Sequence, residues 1–306
     1  MTKHYQYWLG GLLLSVTSFA QAASDASSPL RVAVTFTVLG DLVEQVAGDD
    51  AEVSQLTPIN AEVHDWELTP GNFSDIEEAD VIFYNGYQLE QWMGQVESAA
   101  RDDVPLVGVA EASGYPTRGI VTGELSGDID PHLWMDPRAA SAYVEVVADA
   151  LAEARPTSAD GFNSRAEALQ EELETLHDEI TETLSAIPDE QRFLLTSEAA
   201  FIYFAEAYDF EHSGIWGNNA ESAGAPRQLM QVIDLVRERQ PGAIFWESTI
   251  SDRHVSSIAR DTGVATAGPL YVDSLSEPDG PAASYIEMMR HNAQLLREYL
   301  AVDSDT

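Results

Sequence analysis

Short apolar runs alternate with amphipathic stretches through the first half of the chain. The runs are RVAVTF (31–36), AEVSQLT (51–57), DVIFYNG (80–86) and PLVGVA (105–110). Between them lie segments with helical spacing, such as VLGDLVEQVAG, which is stopped by Gly48. Short buried strands separated by helices predict a mainly parallel sheet covered by helices.

The same alternation returns in the second half. RFLLT (192–196), GAIFWE (242–247) and GVATAG (263–268) predict strands. Helices are predicted over 198–208, 226–239, 252–261 and 282–300. The pattern therefore predicts an α/β fold with two (β/α) lobes.

A different spacing lies between the lobes. Seven apolar residues recur at intervals of three, four or seven, with acidic residues on the other faces: Phe162, Leu169, Leu173, Leu176, Ile180, Leu184 and Ile187. This stripe predicts a helix of about seven turns. A coiled-coil dimer is the simple alternative, but one long rigid helix joining the lobes explains its central position better. The predicted organisation is a signal peptide (1–22), an N-terminal lobe (23–137), a helical segment (138–188) and a C-terminal lobe (189–306).

The first residues are typical of an export signal. Lys3 precedes an apolar stretch from Trp8 to Phe19, which is followed by the small-residue end Ala20-Gln21-Ala22. The apolar stretch is too short for a membrane span. The sequence contains no cysteine, which excludes disulfides, thiolate metal sites and lipidation on cysteine. We expect an exported protein without a membrane anchor in the periplasm, with secretion to the exterior as the lesser alternative.

The charge balance excludes several classes of partner. The formal net charge is −37, from 15 basic and 52 acidic residues. Such a surface repels phosphate backbones and anionic lipid headgroups, so neither nucleic acid nor a membrane surface is an expected partner. The acid excess also suggests adaptation to salt, because dense carboxylates repel one another unless counterions screen them.

Two histidines lie in loops that follow predicted strands. His64 stands in NAEVHDWELTP and His132 in DPHLWMDP. Ligands of open α/β sheets collect beyond the carboxyl ends of the strands, which makes both histidines candidates. Asp136 has a structural explanation, because it can cap the next helix with Pro137 at the first helical position. The remaining histidines are expected to be solvated.

Two acids of the second half occupy comparable positions. Glu198 is predicted in the first turn of a helix, where acids are also common without any function. Asp273 lies in a loop after a predicted strand. Phosphate-binding glycine motifs, nucleophile elbows and the HExxH zinc motif are absent from the sequence, so a hydrolase has no support beyond possible metal ligands.

Taken together, several segments resemble the metal-binding solute-binding proteins of bacterial ABC importers for zinc, manganese or iron. The resemblance covers almost the whole chain after the signal. Its segments are HDWELTPGNFSDIEEADVIFYNGYQLEQW, DPHLWMDP, TSEAAFIYFAEAY and YVDSLSEPDGPAASYIEMMRHN, with GNNAESAGAP and AIFWES between the last two. They occur in the family's order.

The resemblance implies that His64 and His132 of the first lobe and Glu198 and Asp273 of the second bind one ion in the cleft. It also implies a monomeric carrier that serves an inner-membrane permease and its cytoplasmic ATPase, with the metal as cargo and no catalysis. Two neutral imidazoles and two carboxylates would neutralise a divalent cation. A metallohydrolase with Glu198 as general base and a surface adhesin are the alternatives from other classes.

Departures from the family pattern bear on the metal. Zinc-carrying members often have histidine where this chain has Glu198, and many have a histidine-rich loop that is absent before His132. Ile202 stands where many members have glycine. Hard oxygen donors favour Mn²⁺ or Fe²⁺ by ligand type, so we expect Mn²⁺ ahead of Fe²⁺ or Zn²⁺. A zinc-specific carrier of the same family is the alternative. Release is expected from a small displacement of the lobes that removes Glu198 and Asp273.

Overall fold

The N-terminal half forms a four-stranded parallel sheet. The computed structural model describes residues 28–121, 126–217 and 226–301, so the predicted signal peptide at 1–22 lies outside the described residues. The elements are β1 (Leu30–Val34), α1 (Thr37–Ala47), β2 (Ala51–Gln55), α2 (Pro70–Glu78), β3 (Val81–Tyr84), α3 (Met93–Ala99), β4 (Leu106–Gly108) and α4 (Val109–Ala112). The strand order is β2-β1-β3-β4, and every pair is parallel.

Both faces of this sheet are covered by apolar side chains. Val32 and Val34 of β1 belong to the main core, whereas Ala33 of the same strand packs into a second cluster with Ile76 and Val96. Side chains of a strand alternate between its faces, so this division places helices on both sides. The predicted parallel, helix-covered sheet is confirmed.

The C-terminal half repeats the arrangement. It contains β5 (Phe193–Thr196), α7 (Ile202–Ala207), β6 (Glu211–Gly214), α8 (Pro226–Arg239), β7 (Ala243–Glu247), α9 (Arg253–Thr262), β8 (Ala265–Leu270) and α10 (Tyr285–Leu300). The strand order β6-β5-β7-β8 has the same form, again with parallel pairs. The two-lobe α/β prediction is confirmed. Strand β6 was not predicted, because Glu-His-Ser-Gly has no apolar pattern; its pairing with β5 alone defines it.

A helical hairpin connects the lobes. It consists of α5 (Pro137–Ala154) and α6 (Ala159–Leu184), and α6 has 26 residues. The buried side of α6 carries the predicted stripe from Phe162 to Leu184, and the last predicted residue, Ile187, is buried just beyond the end of the helix. This stripe packs against α5, against α1 of the N-terminal lobe and against α10 of the C-terminal lobe. The long linking helix is therefore confirmed. Other helices of the same chain cover its apolar face, whereas a coiled-coil dimer would cover it with a second chain.

One predicted helix begins later than expected. The prediction placed Glu198 in its first turn, but α7 starts at Ile202. The chain after β5 remains bonded to the chain after β6: Ile215 N–H donates to Thr196 O, Trp216 N–H to Ser197 O, and Ala199 N–H to Gly217 O. β5 ends at Thr196, and Glu198 lies in the bend between β5 and α7, which these bonds tie to the chain after β6. Ile202 packs half-buried against the main core.

The other four histidines of the described residues are less solvated than predicted. His177 of α6 stacks on Tyr208, with ring centroids 5.2 Å apart, and His254 packs edge-on against Trp216. His212 lies in β6 beside Thr196, and His291 contacts the carbonyl of Pro269. Among the described residues, no helix is both long and apolar enough to cross a bilayer.

Candidate metal centre

His64 lies in the loop between β2 and α2, beyond the carboxyl end of the first sheet. Trp92 anchors this loop, because its indole N–H donates to Val63 O at 2.7 Å. The Nδ1–H of His64 donates to Leu89 O at 3.1 Å. A carbonyl oxygen can only accept, so the proton resides on Nδ1 and Nε2 keeps its lone pair. Nε2 is buried and has no hydrogen-bond partner among the described residues.

His132 is oriented in the same sense by a carboxylate. Asp130 Oδ1 accepts from both the backbone N–H and the Nδ1–H of His132, each at 2.9 Å. Both residues are fully buried. The bond fixes the Nδ1–H tautomer and leaves Nε2 available, as in histidine ligands supported by a carboxylate. The next helix begins as predicted, with Asp136 capping Arg138 N–H and proline at the start of α5.

Asp273 follows β8 and lies between the two imidazoles. Its Oδ2 is 3.8 Å from His64 Nε2, and its Oδ1 is 3.5 Å from His132 Nε2. One donor atom from each of these three buried residues lies within 4.8 Å of the other two. This spacing suits three ligands of one ion, because metal–ligand bonds of about 2.0–2.3 Å place neighbouring donors about 3–4 Å apart.

The segment around Asp273 is bonded to the N-terminal lobe, although it follows a C-terminal strand. Three hydrogen bonds make this connection: Trp134 Nε1–H to Val272 O at 3.1 Å, Asn60 N–H to Ser274 Oγ at 2.7 Å, and Leu275 N–H to Thr37 Oγ1 at 2.9 Å. A displacement of the lobes that removed Asp273 from the histidines would have to break these bonds. We expected a lobe displacement to remove Glu198 and Asp273 together. These bonds add a free-energy cost to the removal of Asp273 from the histidines.

Glu198 enters from the C-terminal lobe and is fully buried. The backbone N–H of Glu198 donates to the carboxylate of Glu247, at the end of β7, at 3.0 Å. The backbone N–H of Glu247 donates in turn to Ser197 Oγ at 3.1 Å. One oxygen of Glu198, one of Asp273 and one of Glu62 lie within 4.8 Å of each other. Glu198 thus shares Asp273 with the histidine group, and all four predicted site residues meet in one region.

Burial is the largest influence on the carboxyl and imidazole groups of this region. Burial lowers the pKa of His64, against the opposing charge of Asp273. Burial would also lower the pKa of His132, but the charge of Asp130 and its hydrogen bond raise it. Burial raises the pKa of Glu62 to about 8, with a further contribution from the charge of Asp273. Burial raises the pKa of Glu247 to about 8 as well.

The side chains of this region could hold a divalent cation. Two buried imidazole nitrogens and Asp273 Oδ1 have no hydrogen-bond partner among the described residues. Polar atoms buried in this way cost free energy unless something binds them. Nitrogen and oxygen donors around one point match transition metals such as Mn²⁺, Fe²⁺ and Zn²⁺. The four residues His64, His132, Glu198 and Asp273 are each at most 3% exposed, so the site is enclosed by protein.

Sequence reasoning gave Asp130 only a structural role, with Pro131, in restricting the chain before His132, and it did not single out Glu62 or Glu247. A common local signal was available for two of them, since each stands two residues before a candidate histidine, in Glu62-Val63-His64 and Asp130-Pro131-His132. In both cases the carboxylate accepts from the backbone N–H of that histidine. Glu247 had no local signal, because its contact with Glu198 joins residues 49 positions apart.

Two parallel α/β lobes that enclose a small polar site, joined by a helix, define the class of solute-binding receptors. The comparisons agree with this class. The chain matches the family described as "Zinc-uptake complex component A periplasmic" over residues 32–299, and it belongs to that family. Members of the family are solute-binding receptors rather than enzymes.

The relatives of this chain are named for binding different metals. The chain is 38% identical over 278 residues to the iron-binding protein YfeA of Yersinia pestis, covering 90% of this chain and 88% of that protein. It is 36% identical over 269 residues to the manganese-binding lipoprotein MntA of Halalkalibacterium halodurans, covering 88% of each.

A solved structure gives the same picture. The periplasmic zinc-binding protein TroA of Treponema pallidum superposes with a TM-score of 0.83 at 28% identity, covering 90% of this chain and all of that one. The relatives thus establish carriage of divalent metals in this family and leave the metal of this chain open.

Proposed function

We propose that this protein binds a divalent transition-metal ion between its lobes and delivers it to the permease of an ABC importer, which a cytoplasmic ATPase drives. The ligands are His64, His132, Glu198 and Asp273. The observation that carries the proposal is the pair of buried Nε2 atoms directed at the carboxylate of Asp273, at 3.8 and 3.5 Å. Family membership supports the importer and its two partner components.

Mn²⁺ is the proposed cargo, with Fe²⁺ or Zn²⁺ as competitors. Two imidazoles and two carboxylates offer up to six donor atoms if the carboxylates are bidentate, and carboxylate oxygen suits Mn²⁺ better than Zn²⁺. Zn²⁺ prefers four ligands in a tetrahedron. Affinity nevertheless rises from Mn²⁺ towards Zn²⁺ in most sites, so selectivity must come from coordination geometry and metal supply.

The remaining proposals concern the setting of the carrier. We place its work in the periplasm after removal of residues 1–22, as a monomer whose N-terminal lobe extends to about 137 and whose C-terminal lobe begins at about 189. The net charge of −37 suggests that the protein is adapted to high salt concentration. Fractionation of the native host, with a cytoplasmic and an outer-surface marker, tests the location.

Metal analysis of natively purified protein, followed by competition between Mn²⁺ and Zn²⁺, tests the function. We expect one equivalent of divalent metal per chain. Asp273→Ala should lower Mn²⁺ affinity by about 100-fold or more, because loss of a buried charged partner costs about 3–5 kcal/mol. Asp279→Ala, at an exposed acid of the same loop, is the matched control. Wild-type affinity in Asp273→Ala, or wild-type protein that takes up no metal, would contradict the assignment.

A further inference from the structure

A fifth acidic side chain, Glu62, lies at the edge of the proposed metal site. One of its carboxylate oxygens is within 4.8 Å of an oxygen of Glu198 and one of Asp273, and its Oε1 is 3.9 Å from His64 Nε2. That nitrogen is buried and has no hydrogen-bond partner among the described residues. Glu62 is therefore close to three of the four proposed ligands, and its neighbour His64 presents an unpartnered donor atom to the same space.

Glu62 differs from Asp130 in what its carboxylate can reach. Both acids precede a histidine by two residues and accept from its backbone N–H, at 3.2 and 2.9 Å. Asp130 then turns to the Nδ1 side of His132, away from the site. Leu89 O already occupies Nδ1 of His64, and the longer side chain of Glu62 extends to the Nε2 side instead. The same local turn thus directs one carboxylate outward and the other towards the ion position.

Glu62 is also the most accessible member of the group. Its side chain is 21% exposed, compared with 3% for His64 and 2% for Asp273. It lines a surface cavity of about 280 Å³, together with Trp216, Arg253, His254 and residues 249–251 of the C-terminal lobe. Among the described residues that line this cavity, Glu62 is the one that also belongs to the carboxylate cluster. Glu62 therefore lies between the solvent-accessible cavity and the buried acids.

We propose that Glu62 is a fifth ligand of the cargo metal and the first to bind the ion as it enters from water at the mouth of the site. This inference rests on the function proposed above and adds to it the route of entry. Arg253 lines the same cavity, and the Glu62 side chain joins that cavity to the buried acids, so its oxygens are the first ligand atoms that an ion entering there can bind. The Glu62 carboxylate can replace a water of the hydrated ion before the inner ligands do.

The fifth ligand also bears on selectivity. Three carboxylates and two imidazoles supply at least five donors, which suits Mn²⁺ at a coordination number of five or six. Zn²⁺ is satisfied by four ligands, so it gains less from the additional oxygen. Loss of Glu62 should therefore weaken Mn²⁺ binding more than Zn²⁺ binding.

Glu62→Gln tests the proposal in the full chain. The amide oxygen of glutamine can still accept from His64 N–H, so the loop should keep its shape, and thermal unfolding without metal checks the fold. Glu67→Gln is the matched control, because Glu67 is an exposed acid of the same loop and loses the same charge. MnCl₂ and ZnCl₂ are the probes, and stopped-flow tryptophan fluorescence follows binding through Trp134, whose ring lies 5.2 Å from that of His132.

We expect Glu62→Gln to slow Mn²⁺ association and to lower Mn²⁺ affinity, each by about ten-fold, with a smaller loss for Zn²⁺. Glu67→Gln should match the wild type. Equal rates and an equal Mn²⁺/Zn²⁺ preference in the two variants would overturn the proposal while leaving the carrier function intact, since wild-type protein still binds. Equal losses for both ions at unchanged association rates would also overturn it, because Glu62 would then only support the His64 loop. Wild-type protein that binds neither ion would overturn both proposals.

Discussion

Replacing Asp130 by asparagine should weaken metal binding without touching any proposed ligand. The carboxylate accepts from the backbone N–H and the Nδ1–H of His132 through the same oxygen, at 2.9 Å each. A bound cation withdraws electrons from the imidazole and makes its Nδ1–H a stronger donor, so the negative acceptor stabilises the loaded state more than the empty one. A neutral amide keeps the shape but loses this gain.

The size of the effect follows from the contact. Carboxylates behind a ligand histidine typically contribute about 10–100-fold to metal affinity, or about 1.4–2.7 kcal/mol. At a fixed excess of Mn²⁺, the stabilisation of the folded protein by metal should fall by the same amount. Each kcal/mol corresponds to about 2–4 °C in the unfolding midpoint of domains of 150–250 residues.

Competition with a chelator of known affinity measures the change directly, and thermal unfolding with and without Mn²⁺ measures it independently. Asp128→Asn is the control, because Asp128 is exposed in the same loop and loses the same charge. If Asp130→Asn bound Mn²⁺ as tightly as Asp128→Asn does, the orientation of His132 would not depend on the carboxylate, and the reasoning would fail.

Three further outcomes are expected. Leu176→Ala removes a fully buried side chain from the stripe of α6 and should destabilise the protein by about 2–5 kcal/mol in denaturant unfolding, whereas the exposed Glu174→Ala should change little. Burial raises the pKa of Asp41 from 3.8 to about 6. The folded protein therefore loses stability as the pH rises through this interval, because Asp41 ionises more readily in the unfolded chain. Asp41→Asn should therefore gain stability over the wild type between pH 4 and pH 7, by at most about 3 kcal/mol and less because Asp41 is partly exposed; a constant difference would refute this. The unfolding midpoint should rise between low and molar NaCl, and an unchanged midpoint would argue against salt adaptation.

Hydrophobic spacing along the chain was sufficient for the architecture. The apolar runs around Val32 and Ile244 predicted buried parallel strands, and the stripe from Phe162 to Ile187 predicted the linking helix, which ends at Leu184. These features were predictable because burial imposes its period on neighbouring residues. The edge strand Glu211–Gly214 was not, since a polar edge strand is defined by its partner and carries no period of its own.

The sequence by itself determined which candidate histidines and acids follow strand ends, since local order and motif resemblance suffice for that. Only the tertiary structure decided that Glu198 lies in a bend before α7, that Glu62 joins the carboxylate cluster, and that the Asp273 segment is bonded to the opposite lobe. The last contact joins residues 238 positions apart. Hydrogen bonds between segments so distant depend on how two finished lobes pack, and no local pattern encodes that geometry.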